Sequence, residues 1–333
     1  MNNFLPIKSN HRAAPLRLAA RIISIMILAF LWPVRGGAQA QTKDLDVGDI
    51  TGKLALTYKQ KSNSQDYDWH YTVGGSNETV FTGTLTGTNN NWSHGTIDIK
   101  SEKAIDNADN NHDSYPILKL DGLNLTSTAN SSLFNMVENG KPLCIQATGR
   151  SASTLKCQGV VINNVKGCYL LLDGGAAGLN ILGKGNSNGI YLFTDGQLVN
   201  AILKGKIDIV ADNKYAVVIG NLTSLSAAED ARITVSAGLK AILDNNSNAK
   251  SPFLEWRFDS SAPESGKTLE IKDANGKSFD PAIQFTTDDK NKHFAINAKK
   301  GAGYTLWLDG KQLMDTNEKT VFTATDDKLF SFS

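Results

Sequence analysis

A pattern returns along the middle of this chain: a small or turn-forming residue, then an apolar-x-apolar triplet. Gly122 precedes Leu123-Asn124-Leu125, Gly159 precedes Val160-Val161-Ile162, and Gly178 precedes Leu179-Asn180-Ile181. Lys206 precedes Ile207-Asp208-Ile209, and Arg232 precedes Ile233-Thr234-Val235. A second set is interleaved: Leu143-Cys144-Ile145, Cys168-Tyr169-Leu170, Ile190-Tyr191-Leu192, Ala216-Val217-Val218 and Lys240-Ala241-Ile242. Taking Cys144, Cys168, Tyr191, Val217 and Ala241 as equivalent gives steps of 24, 23, 26 and 24 residues. Period-two alternation interrupted by Gly, Asn and Asp is the pattern of short strands joined by sharp corners. One such unit cannot bury its inner face, whereas stacked units cover one another, which specifies an all-β solenoid. A turn of about two dozen residues built from such strands fits a right-handed parallel β-helix. A β-sandwich or barrel is the competing reading, since it also has short alternating strands and frequent turns. Helical periodicity is nearly absent, and residues 222–230 are the one segment with room for a short helix.

The ends differ from the middle. Residues 41–94 are polar and rich in Asn, Thr and Gly, while 252–333 bring longer strands, three prolines and many aromatics. An uncapped solenoid would expose unpaired strand edges and bare core. The expected organisation is therefore an N-terminal β cap (41–94), the repeats (95–251), and a C-terminal β-rich cap or small β domain (252–333).

Residues 1–40 hold five basic side chains and no acidic one, then an apolar run over 22–32 and Ala38-Gln39-Ala40. That is the pattern of a cleaved signal peptide, with an uncut signal anchor as the alternative. No later stretch is long and apolar enough to span a membrane. The expected destination is secreted or at the cell surface, with the periplasm also open. Without the five basic residues of that segment, the 34 Lys and Arg fall to 29 against 33 Asp and Glu. Three arginines are left, Arg150, Arg232 and Arg257. Nucleic-acid backbones are held by clustered Lys and Arg, so nucleic acid is not an expected partner.

Three cysteines, Cys144, Cys157 and Cys168, are too few and too odd in number to frame the fold. Cys144 and Cys168 occupy matching places one repeat apart. In-register neighbours on parallel strands lie about 4.8 Å apart, so a disulfide and a stacked pair of thiols fit equally.

No H-E-x-x-H, P-loop or Cys-x-x-Cys pattern is present. The best candidate metal site is Asp109-x-Asn111-x-Asp113, whose oxygen ligands suit calcium, with Asp244-Asn245-Asn246 and Asp288-Asp289 as weaker versions. Ser114 stands where an EF-hand turn glycine would, and no closing glutamate follows. A solvated turn is the alternative. Solenoid polysaccharide lyases and hydrolases need converging carboxylates. Here Asp173, Asp195, Asp208, Asp212, Glu229, Asp230 and Asp244 are spread along the repeats. Aromatics offer a different chemistry. Strand alternation over residues 66–73 puts Tyr67, Trp69 and Tyr71 on one face. Such a stripe is either a platform for pyranose rings or the buried face of a cap strand. Trp92, set in Asn89-Asn90-Asn91-Trp92, is a further candidate ligand contact.

Gly122-Leu123-Asn124-Leu125, Gly178-Leu179-Asn180-Ile181 and the late segment Gly303-Tyr304-Thr305-Leu306-Trp307-Leu308-Asp309-Gly310-Lys311 carry a resemblance. Over residues 95–311 the chain resembles exported bacterial carbohydrate-binding proteins of the cellulose-binding parallel β-helix type. The resemblance implies a non-catalytic protein that binds acidic or cellulosic polysaccharide, with calcium held in acidic corner turns. Apart from Asp109 to Asp113, the corners here are poor in consecutive aspartates, a departure that bears on the metal. Three functions follow as expectations: a glycan-binding module, a structural or adhesive surface protein, and a polysaccharide lyase or hydrolase.

Overall fold

The structure is a computed structural model. It describes residues 42–105, 112–138, 140–193, 199–220, 223–228 and 231–245, and beyond them 253–258, 266, 268–272, 275–278, 283–284, 292–297, 305–315 and 329–332. The expected signal segment, residues 1–40, lies outside the described residues.

The repeats build a parallel β-solenoid with three long sheets, of seven, nine and nine strands. The first sheet runs Leu45–Asp46, Thr84–Thr86, Ile117–Asp121, Pro142–Thr148, Tyr169–Asp173, Val199–Lys204 and Thr223–Ala227. The second holds Ile97–Ser101, Phe134–Met136, Ile162–Asn164, Ile190–Leu192, Tyr215–Ile219 and Lys240–Asp244 in parallel order. The third holds Thr88–Trp92, Asn124–Ser127, Ser153–Cys157, Leu179–Gly183, Lys206–Ala211 and Arg232–Ala237. The chain visits the sheets in turn, so each coil covers the one before it.

Alternation within each strand determines the core. In the third sheet Leu125, Leu155, Ile181, Ile209 and Val235 are register partners and every one is fully buried. Ile145, Leu172 and Leu203 form the equivalent row of the first sheet, and Phe134, Ile162, Ile190 and Val217 that of the second. Asn164 is a polar residue in this interior. Its amide donates to the Cys168 carbonyl and accepts from the Cys168 N–H, which satisfies a buried corner.

Three expectations change on this frame. Val160-Val161-Ile162 belongs to the second sheet, not to the row of Ile181, Ile209 and Val235. Cys144 lies in the first sheet beside Ile117 and Leu171, while Cys168 precedes the next strand and Tyr191 is in the second sheet. Cys144 and Cys168 are therefore not register partners, and all three cysteines are free and buried. Burial pushes the Cys144 thiol up to about 12, so it is inert as a nucleophile at neutral pH. Within residues 222–230, Thr223–Ala227 is a strand rather than helix, because it pairs in parallel with Val199–Leu203 at the sheet edge.

One corner carries a repeated lock. Asp46, Asp121 and Asp173 end strands of the first sheet, and each carboxylate rests on a glycine of the following coil. A Cβ on Gly87 would meet Asp46 Oδ1 at 1.9 Å, one on Gly149 would meet Asp121 Oδ1 at 2.0 Å, and one on Gly205 would meet Asp173 Oδ1 at 3.0 Å. Asp46 and Asp173 also accept the N–H two residues on, each at 2.8 Å, so the carboxylates fold their own turns. Gly149 has φ +85°, which an L side chain adopts only under strain.

Both ends depart from the repeat. Parallel pairing begins as early as Leu45, ahead of residue 95, and Leu54–Gln60, Tyr67–Val73 and Thr79–Phe81 add a meander to the edge of the second sheet. At the other end Arg232–Ala237 pairs antiparallel with His293–Asn297, which pairs with Phe253–Phe258, and Leu329–Phe332 closes that sheet. Ile283–Gln284, Thr268–Lys272, Thr305–Leu308 and Lys311–Asp315 make a separate four-stranded antiparallel sheet.

Ile209→Asp would place an unpaired charge in the stacked row, a cost of several kcal/mol. We expect no cooperative thermal transition in this variant by circular dichroism, while Asn124→Asp, exposed on the same sheet, melts like the parent.

Candidate functional site

The aromatic stripe lies on one face of its strand, as alternation requires, but that face looks toward the core. Leu56 opposes Tyr71, Tyr58 opposes Trp69 and Gln60 opposes Tyr67, so the stripe continues the side that carries buried Leu54 and Leu56. Trp69 is 5% exposed, and its indole N–H donates to the Ile117 carbonyl at 2.9 Å. Its ring packs on Gly83, where a Cβ would come within 2.2 Å of it. Half-buried Tyr71 meets Phe81 edge-on, with ring centroids 5.6 Å apart. Trp92 is fully buried, donates to the Gly95 carbonyl at 2.6 Å, and meets His94 edge-on. Trp69 and Trp92 are thus packing residues rather than a solvent-facing platform, because the terminal coil needs large apolar side chains to cover it.

Tyr67 differs. It is half-buried and stacks on Tyr58, centroids 5.3 Å apart and planes within 14°. Alternation along Leu54-Ala55-Leu56-Thr57-Tyr58 carries the signal for Tyr58, since it puts that ring on the side of Leu54 and Leu56. These two rings border an open groove of about 520 Å³ whose other walls include Asp68, Trp69, Thr82 and Tyr115. Tyr115 comes from beyond the cap, just before Ile117–Asp121, and nothing local in the sequence joins it to the stripe. Burial pushes its phenol up to about 12, so it stays a hydrogen-bond donor at any physiological pH. Desolvation likewise raises Tyr58, helped by the Asp68 carboxylate. Asp68 pairs with Lys61 at 3.2 Å, and the Thr82 hydroxyl donates to Asp44 at 2.6 Å. The groove therefore combines ring faces, phenol hydroxyls and one carboxylate. It suits stacking and hydroxyl recognition.

A second groove of about 590 Å³ lies along a different corner, lined by Asn130, Gln158, Lys184, Asn186 and Asn188. It is polar and lacks rings. Lys184 there is held by Asp212 at 3.1 Å.

Asp109 and Asn111 of the expected metal site lie outside the described residues, and Asp113 is exposed in the 3-10 turn His112–Ser114. Among the described residues no three His, Cys, Asp or Glu side chains converge. Asp195, Glu229 and Asp230 fall outside them. Asp173 accepts from Gln146 at 3.0 Å, and Asp212 pairs with Lys184. Asp208 stands half-buried on the outer face of the third sheet between Asn180 and Thr234.

The fold and groove define a class: a parallel β-solenoid whose N-terminal end is closed by an aromatic β-meander with a cleft at its margin. Neither a known family model, nor a curated protein, nor a solved structure matches this chain.

Trp69→Ala should cost about 3–5 kcal/mol of stability, as for a large-to-small core truncation, measured by denaturant unfolding. Asp208 generates a pH test. Burial pushes its carboxyl up to about 6 from an ordinary 3.8, with Lys206 opposing. The folded chain then holds this proton more tightly than the unfolded one. The stability it confers is fully present below pH 3.8 and is lost as pH rises through about 6. Asp208→Asn should flatten that part of the stability–pH profile and raise the melting temperature at neutral pH.

Proposed function

We propose that the chain is an exported, non-catalytic glycan-binding solenoid, and that a sugar sits in the cap groove against Tyr67. The observation that carries this reading is the Tyr58–Tyr67 ring pair opening onto a cleft that also holds Tyr115 and Asp68. Ring faces stack on the apolar faces of pyranoses, and the phenols and carboxylate take their hydroxyls. Export is supported by the basic, then apolar, then Ala38-Gln39-Ala40 order of residues 1–40. The resemblance to cellulose-binding β-helix proteins points to the same partner class, polysaccharide at a cell surface or in the surrounding medium. Calcium at Asp109, Asn111 and Asp113 belongs to the same proposal as a structural ion.

A glycan array probed with and without calcium identifies the ligand class. On the best ligand, Tyr67→Ala should weaken binding about tenfold, the equivalent of losing one aromatic contact, with little change in melting temperature. Unchanged affinity in Tyr67→Ala would remove the groove as the site.

A further inference from the structure

Glutamine follows both small-residue cut sites of the leader. Ala38-Gln39-Ala40 sets up a cut before Gln41, and Gly36-Gly37-Ala38 repeats the small-x-small pattern two residues earlier, before Gln39. Either cut leaves a glutamine first. The described chain begins one residue beyond Gln41, at Thr42, which is exposed and lines the cap groove. Anchoring starts immediately after it. The Lys43 carbonyl accepts the Thr82 N–H at 3.2 Å, and the Thr82 hydroxyl donates to Asp44 at 2.6 Å. Leu45 then pairs with Leu85 in the first strand of the first sheet and is soon followed by fully buried Val47.

From this order we infer that the exported chain carries an N-terminal pyroglutamate, formed from Gln41 or, where the cut falls after Ala38, from Gln39. The inference rests on the export reading, since only cleavage frees the α-amine. An α-amine titrates close to neutral pH, so part of it is present as the uncharged nucleophile. Its lone pair attacks Cδ of the same residue's carboxamide, and a small lactam ring closes. The bond from the α-nitrogen to Cδ forms, and the bond from Cδ to the side-chain nitrogen breaks. That nitrogen leaves as ammonia, taking a proton from the attacking amine. Nothing is oxidised or reduced, and no co-reactant is consumed. Both groups belong to one residue, so the step is intramolecular. The product is uncharged. It offers an aminopeptidase no free amine and adds no terminal ammonium to the groove wall next to Thr42. Only Thr42 and Lys43 separate Gln41 from Asp44, so trimming from a free amine would soon remove the Asp44–Thr82 bond and reach the Leu45–Leu85 pairing. The lactam protects that anchor.

Tandem mass spectrometry of the N-terminal peptide, taken from protein exported by its native host, tests the inference. The peptide should begin at Gln41 or Gln39, be lighter by one ammonia than the free-amine form, and resist stepwise Edman degradation. A double variant, Gln39→Ser with Gln41→Ser, keeps both cut sites and should carry a free amine. Incubated with an aminopeptidase, it should be trimmed through Asp44 and then melt at a lower temperature, while the parent stays intact. A glutamine terminus that keeps its free amine after prolonged incubation at neutral pH overturns the inference and leaves export standing. A first residue other than Gln39 or Gln41 in a cut chain does the same. Residues 1–38 still attached would remove the export reading, and the pyroglutamate with it. Equal trimming of parent and double variant overturns the protective role.

Discussion

In-register stacking of inward apolar side chains is the interaction on which everything else here depends. Leu155, Ile181 and Ile209 each have a like side chain above and below, at the ~4.8 Å spacing of neighbouring strands. No described disulfide assists, since Cys144, Cys157 and Cys168 are free. The corners must therefore repeat closely enough to keep the rows aligned. Carboxylates resting on glycines at Asp46–Gly87, Asp121–Gly149 and Asp173–Gly205 do this by letting successive coils approach without a side chain between them.

A stack of this kind has ends, and the N-terminal end determines where rings can serve a ligand. Among the described residues no coil precedes the terminal one, and the cap meander supplies Trp69 and Phe81 as its cover. Rings committed to that task are unavailable to a sugar. Tyr67 lies at the margin of the same cover, where its partner Tyr58 and the approach of Tyr115 leave a cleft. Structural closure and the proposed recognition thus share one aromatic cluster, divided by burial.

The outer faces follow a different rule. Side chains there also stack once per coil, but their polarity turns stacking into hydrogen-bonded ladders, such as Asp98–Asn135–Asn163 and the Asn180 to Thr154 bond at 3.1 Å. A ladder orients groups that would otherwise rotate freely, so a surface built this way presents a fixed pattern over several coils. The same stacking that buries the core organises the surface.

Alternating triplets such as Leu179-Asn180-Ile181 and Ile207-Asp208-Ile209 were enough, in the sequence alone, to specify strands and the inward direction of Ile181, Ile209 and Val235, and they favoured a stacked solenoid over a sandwich. They could not say which of three sheets a triplet joins, because every inward row has the same apolar signature. Cys144, Cys168 and Tyr191 consequently look equivalent in the sequence yet fall on different sheets or outside a strand. Residues 222–230 suggest a helix locally, but a vacant sheet edge beside Val199–Lys204 makes Thr223–Ala227 a strand. Alternation also put Tyr67, Trp69 and Tyr71 on a single face without revealing that this face is the core side. Tertiary structure decided that, since only the position of the meander against the terminal coil determines which side is buried, and only long-range packing brings Tyr115 to Tyr67.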